Sequence, residues 1–534
     1  MRRLPLLGLL ALLPIASHAA TPAPASIHGE TTWTAAGSPW RVTEDVTVGP
    51  DAYLTLEPGA TVELAEGRSI TVNGALVARG TEAAPVTFTR APEVTGDARW
   101  GSIVFTDSSV DADVGPGDAW VSGSVLEHAV VEYGARAVRL YAASPLIARS
   151  TFRFNRYMPA SMTDDEGGAA LYVGPDSAPL ITGCTFDDNF SGKAAWGGAI
   201  LADRAAPVVK GNTFRRNTSP YGGALTFKKT ASPVVGNTFE DNEAVFEGGA
   251  VSLYSSCPAF VGNRLTGNHA RLDGGGVHVC IECFPHANPS AFDNVIVGNT
   301  SNDNNTLAGS GEPPGAAGFG AAFLRAFVDN EVHDNTVKGV PRDFAWRNHW
   351  LDLYPAWVTS TTLTGTWWGT TDDTLIAGMI SDASDDPGVG WANQVSPRTE
   401  APPPPPPRVI ITPRDIGFGL EGEPMPVYLT LVNPGAAVTV DLLITLSYGE
   451  AAVPFLGDVP FAGATRDGDL LRLDLQAGAV LFGTLLAPAW ADAQGLTNAR
   501  WSATIFDATS GARLGQTSEA SAELGWTEPL GGAE

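Results

Sequence analysis

Thr185-Phe186-Asp187-Asp188-Asn189, Thr213-Phe214-Arg215-Arg216-Asn217 and Thr238-Phe239-Glu240-Asp241-Asn242 are three copies of one unit, spaced 28 and then 25 residues apart. A small-residue step follows each copy: Gly197-Gly198-Ala199-Ile200, Gly222-Gly223-Ala224-Leu225 and Gly248-Gly249-Ala250-Val251, with Gly274-Gly275-Gly276-Val277 one unit later. A unit this short cannot bury its own apolar face, so successive units must stack and share one continuous core. Three short strands and three turns fill a coil of about 22 to 28 residues. Equivalent residues of neighbouring coils then lie about 4.8 Å apart, as in any sheet. The column Phe152, Phe186, Phe214, Phe239, Leu265, Ile296, Val332 is therefore expected to stack inside. Asn155, Asn189, Asn217, Asn242, Asn268, Asn299 and Asn335 are expected to form an amide ladder at one turn. Asn212, Asn237, Asn263, Asn294 and Asn330 form a second such column, whose earlier place is taken by Cys184.

Residues 27–105 show the same architecture without the motif. Leu54-Thr55-Leu56-Glu57-Pro58-Gly59-Ala60-Thr61-Val62 alternates apolar and polar residues around a Pro-Gly turn, and Ile70–Leu76 repeats the pattern around Asn73-Gly74. With Pro85–Thr89 and Trp100–Phe105, these segments resemble the first coils of right-handed parallel β-helix proteins of the pectate-lyase-like superfamily. The paired Gly-Gly-Ala and Phe-x-x-Asn steps resemble the repeats of the chlamydial polymorphic outer-membrane proteins, and Trp367-Trp368-Gly369-Thr370-Thr371-Asp372 is similar to segments that close such helices. The resemblance implies an all-β fold, a right-handed parallel β-helix solenoid over residues 27–397. It leaves activity open, because the superfamily holds lyases, hydrolases, adhesins and proteins of no known role.

The ends read differently. Residues 1–20, with Arg2-Arg3, the apolar run Leu4–Ile15 and small residues before Ala20, have the form of a secretory signal peptide. Residues 301–319 read as a protruding loop, and a short helix is expected near Asp373–Ile380 in a closing region. Residues 401–408 are a proline-rich linker, expected to act as a stiff spacer. Alternating strands such as Val438–Leu446, with turns at Asn433-Pro434-Gly435 and Asp467-Gly468-Asp469, predict a small immunoglobulin-like β-sandwich over residues 409–534.

The formal charge of -26 and only five lysines set the chain against nucleic acid and anionic membranes. No later apolar run is long enough to span a bilayer. A secreted or cell-surface bacterial protein is expected, a monomer that meets a polysaccharide or a surface protein and needs no cofactor.

Four constellations bear on function. In the first, Asp187 and Asp188, Arg215 and Arg216, and Glu240 and Asp241 alternate in sign from coil to coil, as stacked ion pairs would. The second is the column before each Gly-Gly step: Glu166, Trp196, Tyr221, Glu247, Asp273. It is not uniform, so it is expected to face outward. Trp196 and Tyr221 beside Glu247 and Asp273 would bind a sugar chain by ring stacking and hydroxyl bonding. Glu247 and Asp273 also form the catalytic candidate pair, because carboxyl groups about 5 Å apart suit glycoside chemistry. The third constellation, the acidic loops Asp164-Asp165-Glu166 and Asp107, Asp111, Asp113, Asp118, is where a calcium-dependent lyase would hold its ion. Solvated loops are the plainer reading, and no metal site is assigned. Last, Cys257 aligns with Cys283 one coil on, within disulfide reach, while Cys280–Cys283 is the competing bridge. A non-catalytic binder of glycans or partner proteins is the favoured reading, and a polysaccharide lyase or glycoside hydrolase the alternative.

Overall fold

The structure is a computed structural model. It describes residues 19–523 except 162–165, 280–288, 303–315, 322–323, 325, 347–359, 383–390, 402–404, 414–425, 449–450, 455–460, 462 and 487–497. Most of the signal-like segment, Asp164, Asp165, Cys280, Cys283, the tip of the 301–319 loop and Pro402–Pro404 therefore lie outside the described residues.

The chain winds into a right-handed parallel β-helix. Sheet I contains Thr185–Asp187 and twelve strands in all, while sheets II and III, represented by Ile200–Asp203 and Val208–Lys210, contain thirteen each among the described residues. The parallel stack starts slightly earlier than expected, with Thr21–Pro22 paired to Trp40-Arg41, and runs to Trp391–Val395. From Arg156 onward a fourth, corner sheet of eight very short strands lies between sheets I and II. The three-strand coil expected from the period is thus a four-strand coil through the repeat region.

The repeat motif does the work anticipated. Phe186 pairs with Phe214 and Phe214 with Phe239 in direct register. Their rings are fully buried and stack nearly parallel with Phe152, at centroid spacings of 5.0, 4.8 and 4.8 Å. Each buried Phe contributes about 1.5–3 kcal/mol of apolar transfer. The Gly-Gly step has two separate causes. Gly197 and Gly222 occupy the left-handed region, with φ of 65° and 64°. A Cβ on Gly198 or Gly223 would sit 2.0 or 2.1 Å from a carbonyl oxygen of the next coil, so no side chain fits.

Both asparagine columns are continuous hydrogen-bonded ladders. Asn155 Nδ2 donates to Asn189 Oδ1 at 3.0 Å, and the chain of amides continues through Asn217, Asn242, Asn268 and Asn299 to Asn335. The second nitrogen proton goes to the preceding coil's carbonyl, as from Asn217 to Phe186 O at 3.0 Å. The side-chain oxygen accepts two bonds, so every polar atom of the amide is used. The other ladder runs from Asn212 to Asn330, with Oδ1 of Asn212 accepting from the Cys184 amide.

The three walls differ in chemistry. Sheet I carries a charge column longer than the motif revealed, with Arg41–Glu63, Glu132–Arg153 and Asp187–Arg215 pairs at 2.6, 2.7 and 2.8 Å. Arg216 also turns back to Asp187 and Asp188, at 2.5 and 3.2 Å, so Arg215 and Arg216 both bind the preceding coil's carboxylates. Sheet III is mixed outside, with an Arg79–Glu127 pair at 2.7 Å beside apolar patches, and those patches are covered. From its third strand an inserted antiparallel hairpin, Asp113–Gly115 with Ala119–Ser122, lays Val114 and Trp120 over Val125, Leu146 and Ala148. Further along it is covered by the C-terminal sandwich.

That sandwich packs a three-stranded antiparallel sheet, built from Arg408–Pro413, Pro426–Asn433 and Ala479–Leu486, against a larger antiparallel sheet centred on Val438–Tyr448. Ile411, Leu429, Leu442, Trp501 and Ile505 fill the space between them. The expected short helix is present as Asp373–Met379, with the Asp372 carboxylate accepting from Thr374 N and Leu375 N at 2.9 and 3.2 Å.

Candidate functional site

The corner between the short sheet and sheet II brings the column before the Gly-Gly step onto one wall. Trp196 bridges to Tyr221, Tyr221 pairs with Glu247, and Glu247 bridges to Asp273. The Trp196 and Tyr221 rings stack at 4.4 Å, 20° from parallel, and both are partly exposed. Tyr254 meets Trp196 edge-on at 5.2 Å, and Phe246 leans on Tyr221 at the same distance. Lys228 Nζ lies 5.0 Å from the Trp196 centroid and 5.6 Å from that of Tyr254.

The acidic half of the column is divided. Glu247 is partly exposed and its Oε2 lies 3.4 Å from His278 Nδ1. Asp273 departs from the outward orientation expected of it, being only 3% exposed. Its Oδ1 accepts from the amides of Gly274 and Ala316 at 2.7 and 2.9 Å. A carboxylate occupied by two backbone donors caps a turn, and the Ala316 amide arrives from the next coil, where no local pattern announces it.

Upstream, the same wall continues through residues that the column did not include. The Arg136 guanidinium lies 4.5 Å from both the Tyr157 and Tyr172 centroids and pairs with Glu166 at 2.8 Å. Tyr157 also donates to Glu166, at 2.8 Å. Burial raises the Tyr172 hydroxyl's pKa above the ordinary tyrosine value, with Asp203 adding to the shift. Lys228 and Tyr254 were within reach of sequence reading. Each stands five residues after the second glycine of its step, and they pair directly in sheet II. Arg136 carried no such signal, because it precedes the regular repeat, and at the Glu166 step the alignment slips by one, Gly167 rather than Glu166 bridging to Trp196.

The other candidates separate. Asp111 accepts from the Ser144 amide at 2.6 Å, and Asp118 is held by Lys210 at 2.8 Å, so both serve the hairpin that covers sheet III. Among the described residues no group of three or more His, Cys, Asp or Glu side chains is arranged to hold a metal ion. Cys184 is fully enclosed, and burial pushes its thiol up to about 12. Cys257 is buried, with its amide donating to Thr230 O at 3.1 Å.

A protein-family model described as "Right handed beta helix region" matches residues 121–342. No curated protein sequence matches the chain significantly. Among solved structures, the chain is similar to a double mutant of the tailspike protein of E. coli bacteriophage HK620. The identity is 12%, the match covers 85% of this chain and 86% of that one, and the TM-score is 0.19. The chain is a right-handed parallel β-helix repeat protein. Among the described residues no helix is long and apolar enough to cross a membrane.

Proposed function

We propose that this is an exported β-helix protein that binds glycan chains along the corner wall at Trp196 and Tyr221. The observation that carries the reading is the aromatic cluster Trp196, Tyr221, Tyr254 and Phe246, flanked by Glu247 and Lys228 on a partly exposed wall. Mutual stacking fixes the rings, so little rotamer entropy is lost when a ligand arrives. Glu247 and the tyrosine hydroxyls supply acceptors and donors for sugar hydroxyls. Much of sheet III lies under its two covers, and the outer face of sheet I carries ion pairs. The amide bonds of Asp273 weigh against Glu247 and Asp273 as an acid/base pair, which favours binding over hydrolysis. The export reading rests on residues 1–20.

Trp196→Ala is expected to weaken glycan binding at least about tenfold, or about 1.4 kcal/mol, while Arg216→Ala on sheet I leaves it unchanged. Glycan-array binding followed by titration of the best ligand measures this. A full array with no ligand, or an equal affinity for Trp196→Ala, removes the glycan reading. Product release from polysaccharides, with and without calcium, would establish the lyase or hydrolase alternative instead.

We also propose a Cys257–Cys283 disulfide as a staple between neighbouring coils. The register supports it up to the pair Leu253 and Val279. Peptide mapping under non-reducing conditions is expected to recover the two cysteines in one linked species, and a Cys257 peptide recovered as a thiol would refute the staple.

A further inference from the structure

We infer that the C-terminal sandwich is a built-in clamp rather than a module on a free tether, and that Asp293 and Asp329 are present in the coils to receive it. The corner that precedes the second asparagine ladder takes a left-handed residue in each coil. From the Gly183 coil onward that residue is Gly183, Gly211, Gly236, Gly262, Asp293, Asp329 and Gly365, with φ between 56° and 63°. Glycine adopts this conformation without strain, and an aspartate does so at a cost. A Cβ at Gly211, Gly236 or Gly262 would meet no atom within 4 Å, so a side chain in these three coils would project into open space. In the two coils where aspartate replaces glycine, the carboxylates instead meet one arginine of the sandwich.

That arginine is Arg408, the first strand residue after the proline run. Its Nη2 contacts Asp293 at 2.6 Å and Asp329 at 2.7 Å, and its Nε also binds the Asp293 carboxylate. Arg408 and Asp293 side chains are each only 5% exposed. Arg398, just before the proline run, adds a bond to Asp329 at 2.8 Å. Two arginines therefore balance two aspartates, a neutral quartet whose Arg408–Asp293 half is buried, whose Arg398 and Asp329 are partly exposed, and whose members come from both bodies. Around it, Val235, Ala259, Val261, Phe292 and Val328 of sheet III pack against Ile410, Val432 and Val480 of the sandwich. The Arg408 guanidinium also lies 5.2 Å from the Phe292 centroid. The three-stranded sheet is thus buried on both faces, one against its partner sheet and one against the β-helix. Arg398 and Arg408, on either side of residues 399–407, thus both bind Asp329.

The arrangement suggests its own test, because Asp293→Gly with Asp329→Gly restores the residue that neighbouring coils use. The β-helix is expected to fold unchanged in that double variant while the clamp is lost. In solution scattering the full-length variant should show a larger maximum dimension than the wild type. Protease cleavage within residues 399–407 should accelerate at least about tenfold, since cleavage follows the open population. Arg408→Ala, which alters only the sandwich side, should reproduce both effects. Unchanged scattering and cleavage in both variants, with the circular dichroism of a folded β protein, would overturn the inference. A wild-type scattering profile that requires two independently moving bodies would overturn it equally.

Discussion

Asn242→Ala is expected to destabilise the β-helix by about 3–5 kcal/mol, far more than the loss of one polar side chain from a surface. Asn242 Nδ2 donates to Phe214 O at 3.0 Å and to Asn268 Oδ1 at 2.9 Å. Its Oδ1 accepts from the amide and the Nδ2 of Asn217, each at 3.0 Å. Alanine removes all four bonds in a site with no solvent exposure. Two donors of Asn217 are left unmatched, while Asn268 Oδ1 keeps its bond from the residue-242 amide, at 3.0 Å, and each unsatisfied buried donor costs about 1–3 kcal/mol. Part of this is recovered if the neighbouring coil shifts or admits a water, which sets the lower bound. Urea unfolding followed by circular dichroism measures the loss. Thr238→Ala, four residues earlier on the outer face of sheet I, should stay within about 0.5 kcal/mol of wild type. A solenoid opens locally, so hydrogen exchange should rise first in the coils holding Asn217 and Asn268. Equal stability of the two variants would mean that the ladder is decorative.

The same ladder explains how much could be read in advance. A solenoid repeats each environment once per coil, so a column of Phe or Asn in the sequence is a column in space. The pairings Phe186–Phe214–Phe239–Leu265 reproduce the sequence alignment without a shift. The placement of Trp196 beside Tyr221 follows from the same rule. What escaped the reading depends on contacts that do not repeat. Most corner strands, such as Phe190-Ser191, are two residues long and give no alternation to detect. Asp273 is buried by an amide 43 residues away. The sandwich docks through two aspartates that break the glycine column, and through Val409-Ile410-Ile411, an unbroken apolar run. Such a run signals a strand covered on both faces. In this chain, departures from a column therefore deserve as much weight as the column itself.

The ladder's far end is such a departure, and it gives the second large effect. Where another asparagine would continue the series stands Asp343, whose Oδ1 accepts from the Asn335 amide and Nδ2 at 2.9 and 2.7 Å. A terminal position needs acceptors and no donor, which is what a carboxylate offers. However, Asp343 is fully buried, and its Oδ2 has no hydrogen-bond partner. Burial pushes its pKa up from 3.8 to about 6, against the lowering effect of the Asn335 bonds. An aspartate with a raised folded pKa binds a proton more readily in the native state than in the unfolded one. Stability therefore falls as pH rises from 3.8 through about 6, and the loss is complete above that range. Two pKa units correspond to about 3 kcal/mol. Asp343→Asn keeps the accepting oxygen and removes the buried charge, but places an amide nitrogen where Oδ2 has no partner, at about 1–3 kcal/mol. The pH dependence isolates the charge from that fixed cost. The stability of Asp343→Asn minus that of wild type should climb by about 2–3 kcal/mol between pH 4 and pH 7 and then level off. Unfolding curves at four or five pH values would show it, and a difference that stays flat across this range would mean that Asp343 carries no raised pKa.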